Sequence, residues 1–417
     1  MGYRRRSLDS SLDALMPSLP AIAIDGAKGV GKSATALRRA SRTYLLDDPA
    51  QRELLASDPS LLNGDQGTVL LDEWQWLPEV WDVVRRQVDS GARPGRFLLT
   101  GSASESAAQG THSGAGRIVS LRMRPMALHE RGVVEPTISL AAMMDGEGDA
   151  EVTGKTGWTT ADYAEALSRS GFPGVMGAEG RAGRVLLDSY LLSVIDRDLP
   201  EVGLKVRRPE VLRRWIAAYA AASSSTTAYA KIMDATTGGD GTQPAKTTTI
   251  AYREHLTQLC VLDPVPAWEP VRISLGRLQQ APKHQLVDPA LALRALGMSA
   301  KTLMGPRGAH MAGPLFESLA TLSVRASATA ADAHVGHLRT RNGDREVDLI
   351  VEGPDGRIVG IEVKLARSVD DHDVRHLLWL REKLGDDVAD LVVLTTGPEA
   401  YRRADGVAVV PLALLGD

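Results

Sequence analysis

Near its start the chain reads Ile22-Ala23-Ile24-Asp25-Gly26-Ala27-Lys28-Gly29-Val30-Gly31-Lys32-Ser33, and this stretch constrains the fold more than any other. Gly26, Gly31, Lys32 and Ser33 satisfy G-x-x-x-x-G-K-[ST], the spacing of a phosphate-cradling P-loop. The apolar run Ala21 to Ile24 predicts a buried strand in front of it, and Ala34 to Ala40 a helix of good helix formers behind it. Glycines let backbone N–H groups close around phosphates, and the helix dipole favours negative charge at the same point. The expected ligand is ATP, cradled by Gly26, Ala27, Lys28, Gly29, Val30, Gly31, Lys32, Ser33 and Ala34. Lys32 is expected at the β- and γ-phosphates, where it is also a catalytic candidate, and the Ser33 hydroxyl on Mg²⁺.

A second stretch completes this chemistry. Thr68-Val69-Leu70-Leu71-Asp72-Glu73 reads as an apolar strand ending in carboxylates. Asp72 is placed to hold Mg²⁺ and Glu73 to orient or deprotonate the attacking water. Trp74, Trp76 and Trp81 follow closely, and helix packing accounts for them better than base stacking. Arg96 to Ser102 reads as another strand with a polar end. Thr100 or Ser102 could sense the γ-phosphate there, or both could cap the turn. Ala107 to Gly116 reads as a mobile loop, and Arg117 to Leu121 as a strand whose arginine is solvated or phosphate-bound.

Composition sets bounds on partners. The net charge is −4, so any nucleic-acid surface must be local. A single cysteine, Cys260, excludes an internal disulfide and points to a reducing, cytoplasmic setting. Arg4-Arg5-Arg6 resembles the start of a signal peptide, but no continuous apolar run follows, and no stretch is long enough for a membrane helix.

The middle of the chain reads as helical. An acidic, Gly-rich linker is expected over 145–155, then helices from Thr160 to Leu199 that end in the charge cluster Asp196-Arg197-Asp198. Arg197 reads as a salt-bridged structural arginine, with an arginine finger across a homo-oligomer interface as the alternative. Val211 to Ala222 predicts a helix, Ser223 to Thr242 a polar insert, and Thr247 to Leu256 a helix followed by a hairpin at Leu259, Val261 and Val265. This is compatible with a winged helix-turn-helix presenting Lys246, Thr247, Thr248, Thr249 and Arg253 to DNA, or with a protein-contact module.

Towards the C-terminus, Gly343 to Glu352 and Arg357 to Lys364 read as two strands of a ribbon. Alternation puts Glu346 and Asp348 on one face, and Glu362 and Lys364 on one face of the partner. A loop of three or five residues sets Asp348 opposite Glu362; a loop of two breaks that alignment. Val347, Leu349, Val351, Ile361 and Val363 are expected on the opposite, buried face. Two close carboxylates make an Mg²⁺ site, and Lys364 can position the water that attacks phosphorus, so Asp348, Glu362 and Lys364 are catalytic candidates. Glu317, in a helical segment, is a further acidic candidate. The alternative is an ordinary exposed charged face.

The ordered set of P-loop, Leu-Leu-Asp-Glu-Trp-Gln, Leu-Leu-Thr-Gly-Ser, Gly-Phe-Pro, Asp-Arg-Asp-Leu-Pro, Glu-Val-Asp and Ile-Glu-Val-Lys resembles one family. It is the prokaryotic AAA-type (ASCE) ATPases that carry a C-terminal restriction-endonuclease-like domain of uncharacterised role. The resemblance implies that Asp348, Glu362 and Lys364 match the D…E-x-K core of that nuclease superfamily, with Glu317 as its helix carboxylate. Lys28 stands where such loops often carry arginine, and Ser33 where threonine is commoner. The implied fold is α/β: a P-loop parallel sheet over 1–145, a helical lid or linker over 146–205, a winged-helix-like region over 206–280 and a nuclease-like α/β domain over 281–417. The expected function is Mg²⁺-dependent ATP hydrolysis by a protein whose nuclease-like C-terminal domain acts on or recognises DNA. Its alternative is a nucleotide-regulated switch that binds a protein partner through a catalytically silent C-terminal fold.

Overall fold

The computed structural model describes residues 2–64, 67–102, 114–146, 151–236, 245–270, 281–341 and 343–417. The loop expected from Ala107 therefore lies outside the described residues as far as 113, as do parts of the acidic linker and of the polar insert.

The apolar runs around the P-loop become β1 (Ala21–Asp25), β3 (Val69–Asp72) and β4 (Phe97–Gly101), with β2 (Arg42–Leu45) and β5 (Val119–Arg122) at the edges. The sheet order is β2-β3-β4-β1-β5 and every neighbouring pair is parallel. β1, β3 and β4 are buried along their whole length, as strands covered on both faces must be. Alternate residues divide between the two faces. Ile22, Ile24, Leu70 and Leu98 pack with Leu8 and Leu12 of helix α1 (Ser7–Leu15) and with Ala36 of α2 (Lys32–Leu37). Ala21, Ala23, Leu71 and Leu99 pack with Leu55 of α3 (Pro49–Ser57) and with Val80, Trp81 and Val84 of α4 (Glu79–Asp89). Trp74 and Trp81 lie in that second layer with ring centroids 4.7 Å apart, so two of the three indoles are core. Trp76 is exposed, with Arg52 over its ring.

The expected linker carries structure of its own. β6 (Ile138–Ser139) leads into α5 (Leu140–Met144) and pairs in parallel with β14 (Leu415–Gly416), while β7 (Gly154–Lys155) joins the edge of the C-terminal sheet. Helices α6 (Thr160–Ser168), α7 (Pro173–Met176) and α8 (Gly180–Ser193) follow. The charge cluster does not end α8: the chain continues through a π-helical turn, Val194–Asp198, into α9 (Leu199–Glu201). Next come α10 (Pro209–Ala221), α11 (Tyr229–Ala235), which lies inside the expected polar insert, and α12 (Lys246–Gln258). The hairpin expected at 259–265 is not formed by neighbouring residues. Leu262 bridges Leu286 and Val265 bridges Lys283, both antiparallel, across a longer excursion.

α13 (Pro289–Ala295), α14 (Ala300–Leu303) and the long α15 (Ala309–Ala330) precede a seven-stranded sheet. Its order is β7-β12-β13-β11-β10-β9-β8, built from β8 (His334–Arg339), β9 (Glu346–Glu352), β10 (Ile358–Val363), β11 (Val388–Thr395), β12 (Glu399–Arg402) and β13 (Ala408–Pro411). α15 covers one face and α16 (Asp371–Leu384) the other. The loop between β9 and β10 spans residues 353–357, and the ladder runs from Ile358 opposite Glu352 to Ile361 opposite Leu349. The loop length and this register are those of the expected alignment, and the ladder ends at Leu349, one residue short of Asp348 and Glu362.

The expected apolar face does not hold along β9. Pairing with β8 shifts register between Gly336 and Leu338, a bulge that places an extra β9 residue opposite His337. Val347 therefore packs in the α16 layer, whereas Leu349 and Val351 pack in the α15 layer with Ile361 and Val363. Beside the bulge, Asp348 shares the Lys283 ammonium with Glu317.

Candidate functional site

Two constellations emerge. The first lies at the carboxyl ends of β1, β3 and β4, where ligands of open α/β sheets bind. The P-loop passes so close to the chain after β5 that a Cβ on Gly26 would lie 2.2 Å from the Met123 carbonyl oxygen. Gly31 caps α2 with φ +106°, in the left-handed region that glycine tolerates. Lys32, 4% exposed, donates to the carbonyls of Gly26 (2.8 Å) and Ala27 (3.0 Å). Burial lowers its pKa against the pull of Glu73, Cys260, Asp72 and Asp25. Ser33, Ala34, Gly29 and Val30 complete the loop and first turn, and the Val30 carbonyl accepts from Arg6 at 2.9 Å.

Asp72 and Thr100 stand opposite each other on β3 and β4, and the Thr100 hydroxyl donates to the Asp72 carboxylate. Glu73, one residue on, has φ +53°, an uncommon conformation for a side-chain-bearing residue. Its carboxylate accepts from Gln75, and from Ser102 at 3.4 Å. Thr100 thus touches the proposed metal carboxylate and Ser102 the proposed base. The donor set fits a nucleotide-bound Mg²⁺: a serine hydroxyl at the helix N-terminus and a carboxylate at the end of the adjacent strand.

Three residues around this loop were not marked by sequence. Arg6 is buried, donates to Val30 and Arg124, and pairs with Glu130 at 3.1 Å. Its signal-like Arg-Arg setting gave no hint of this. Asp198, not Arg197, is the buried member of the charge cluster, and it holds Lys28 at 2.7 Å, with Glu201 at 2.8 Å. The two carboxylates raise Lys28 against its partial burial. Arg197 itself is exposed. Tyr190 donates to the Lys28 carbonyl at 3.2 Å and packs on Phe172. Arg117 pairs with Asp89 at 2.8 Å, away from the loop.

The second constellation lies where β9 and β10 meet α15. Lys364 contacts Glu362 at 2.9 Å, and Val363 N–H donates to Asp348 at 2.9 Å. Sequence reasoning missed Lys283, which is 1% exposed and lies 2.8 Å from Asp348, 2.9 Å from Glu317 and 3.3 Å from Glu346. No local signal could have found it, because its partners lie on α15 and β9. Burial works against the Lys283 charge, yet Asp348, Glu317 and Glu346 hold its pKa well above the ordinary value. Burial and the Asp348 charge push both Glu317 and Glu362 up to about 8. Burial would also raise Asp348, but Lys283 and the Val363 N–H keep it below its ordinary value. Glu362 Oε2 is buried without a hydrogen-bond partner, an oxygen donor that fits a divalent cation.

On α12, Arg253 lies over the Tyr229 ring at 4.8 Å. The start of this helix faces residues 204–211 across a cavity of about 490 Å³ lined by Lys205, Arg207, Arg208, Thr247 and Thr248. Among the described residues no helix is long and apolar enough to cross a membrane.

Comparison with known proteins divides the chain in three. Residues 160–302 and 312–415 each match a domain of unknown function, DUF8612 and DUF4143. Two uncharacterized mycobacterial proteins, Rv2008c of Mycobacterium tuberculosis and Mb2031c of Mycobacterium bovis, are each 25% identical over 435 residues, covering 99% of this chain and 84% of theirs. Among solved structures, the Walker-type ATPase PABY2304 of Pyrococcus abyssi is 15% identical with a TM-score of 0.41, covering 70% of this chain and 96% of that one. Residues 18–131 match the model of an AAA domain, over the stretch that holds the P-loop sequence and the five-stranded parallel sheet.

Proposed function

We propose that the chain is a Mg²⁺-dependent ATPase whose C-terminal cluster acts on the phosphodiester backbone of DNA. The observation that carries the first half is the convergence of Lys32, Asp72, Glu73 and Thr100 at the ends of three parallel strands. Backbone N–H groups of Gly26 to Ser33 bind the phosphates, Lys32 neutralises charge on the β- and γ-phosphates, and Ser33 and Asp72 hold the metal ion. Mg²⁺ supplies charge stabilisation at the γ-phosphate. Glu73, oriented by Gln75 and Ser102, takes the proton of the attacking water, and Thr100 fixes the Asp72 carboxylate. The buried single cysteine fits a cytoplasmic setting.

For the second half, Asp348 and Glu362 hold a divalent ion and Lys364 positions the water, with DNA reaching the chain through the basic cavity beside α12. This region need not form a complete winged helix to do so. The contacts of Lys283 favour a second reading, in which the cluster is a catalytically silent platform for a protein partner, governed by the nucleotide.

The test combines ATP turnover with plasmid cleavage in Mg²⁺ or Mn²⁺. Lys32→Ala and Glu73→Gln are expected to abolish turnover, and Asp348→Ala and Lys364→Ala to abolish cleavage. Unchanged turnover in the first pair would reject the ATPase assignments. Turnover without cleavage by the wild type would select the platform.

A further inference from the structure

The carboxylate cluster contains more ion-binding oxygens than one metal ion needs. Glu317, Glu346, Asp348, Glu362 and Asp373 face Lys283, Lys364 and Arg339, with Arg339 3.7 Å from Glu346 and Asp373 4.0 Å from Lys364. With all of them ionised, five carboxylates meet three cations, and the surplus of two negative charges matches one divalent ion. These groups divide unevenly in space. Lys283 Nζ sits inside the triangle formed by Glu317, Glu346 and Asp348. Glu362 Oε2, at the other end, is the one buried carboxylate oxygen without a hydrogen-bond partner among the described residues.

Lys283 is also fixed in place. Its backbone N–H and carbonyl both bond to Val265, at 2.9 Å each, and the neighbouring Ala281 carbonyl contacts the His337 ring. The bridge fixes where the Lys283 side chain starts, and its buried Nζ is held at the far end by three carboxylates, so moving it aside would leave a buried ammonium without its counter-charges.

We propose that Lys283 is a resident cation that takes the place of a second metal ion, so that the cluster binds a single divalent ion at its Asp348/Glu362 end. This rests on the reading of the cluster as a metal site. Lys283 is a positioning residue: it neutralises Glu317 and Glu346 and fixes one Asp348 oxygen, leaving the Glu362 side to the ion. The chemistry is then of the one-metal kind, with Lys364 rather than a second ion beside the attacking water.

The test counts Mn²⁺ bound to the nucleotide-free full chain by electron paramagnetic resonance, with circular dichroism as the check on folding. Wild type is expected to bind one ion that Asp348→Asn lacks, Lys283→Arg one, and Lys283→Gln two. Glu317→Gln is expected to keep the ion and Glu362→Gln to lose it. A folded Lys283→Gln that still binds one ion overturns the role of Lys283 and leaves the metal site standing. Equal counts in wild type and Asp348→Asn overturn the metal site and this proposal with it. Should Lys283→Gln fail to fold, Glu317→Gln decides: loss of the ion overturns the proposal, and retention supports it.

Discussion

Glu73 joins backbone strain to the proposed chemistry. A left-handed glutamate at the end of a buried strand costs on the order of 1–3 kcal/mol, and such strain persists only where the surroundings over-determine it. Here Gln75, Ser102 and Thr100 do so. Glu73→Gln keeps the size and hydrogen-bonding reach but removes the proposed base, so kcat is expected to fall by about 10²–10⁴-fold with ATP affinity nearly unchanged. Single-turnover kinetics beside nucleotide binding would check this. The Glu362 carboxyl makes a different prediction. Its pKa rises from the ordinary 4.5 to about 8 in the folded chain, through burial and then the Asp348 charge. Between those values the folded state holds a proton that the unfolded state has lost, so stability falls as pH rises through that window. In metal-free buffer Glu362→Gln should flatten the decline of Tm between about pH 5 and 8. An unaltered slope would remove Glu362 from the account.

At the scale of elements, the antiparallel bridges between 262–265 and 283–286 hold two ends of the molecule. Val265 positions Lys283 over β9. Asp263 meets Arg124, just after β5, at 2.6 Å and Arg325 of α15 at 3.2 Å. Burial would raise Asp263, yet these arginines hold it well below the ordinary carboxylate range. Asp263→Ala would leave two arginines buried without their counter-charge, and is expected to cost about 3–5 kcal/mol in urea unfolding. The pair of Lys28 with Asp198 and Glu201 lies nearer to solvent, with Lys28 37% exposed. Lys28→Ala nevertheless leaves the buried Asp198 without its counter-charge, and is expected to cost about 1–3 kcal/mol in urea unfolding. A negligible loss would show that Asp198 does not depend on Lys28.

For the whole molecule, the three matched regions do not correspond to three separate cores. One continuous apolar cluster runs from Leu8 and Ile22 through Tyr163, Trp215 and Phe316 to Val392 and Leu415. Chain ends reinforce it. α1 packs along α15, with Ser11 donating to the Thr329 carbonyl at 2.9 Å, and β14 pairs with β6. A chain joined in this way is expected to unfold in one cooperative transition, with calorimetric and van't Hoff enthalpies that agree. Removal of residues 412–417 should lower that single Tm rather than split it. Separate transitions for the 18–131 and 312–415 regions would contradict this.

How much was legible follows from the range of the interactions. The P-loop, the carboxylate ending β3 and the polar end of β4 depend on a few consecutive residues, so motif spacing and apolar runs locate them. The register of the β9–β10 ribbon was legible for the same reason, because the length of a short loop fixes which residues pair. The β9 bulge was not, since it depends on how β8 pairs alongside. Arg6, Asp198 and Lys283 were equally hidden. Each meets partners on elements far along the chain, and a buried charge takes its meaning from the counter-charge beside it. Local periodicity and sterics, readable in the chain's own order, specify the P-loop stretch, its neighbouring strands and the register of the β9–β10 ribbon. Which cation neutralises the C-terminal carboxylates and which acid holds Lys28 follow from packing, which alone brings such distant charges into contact.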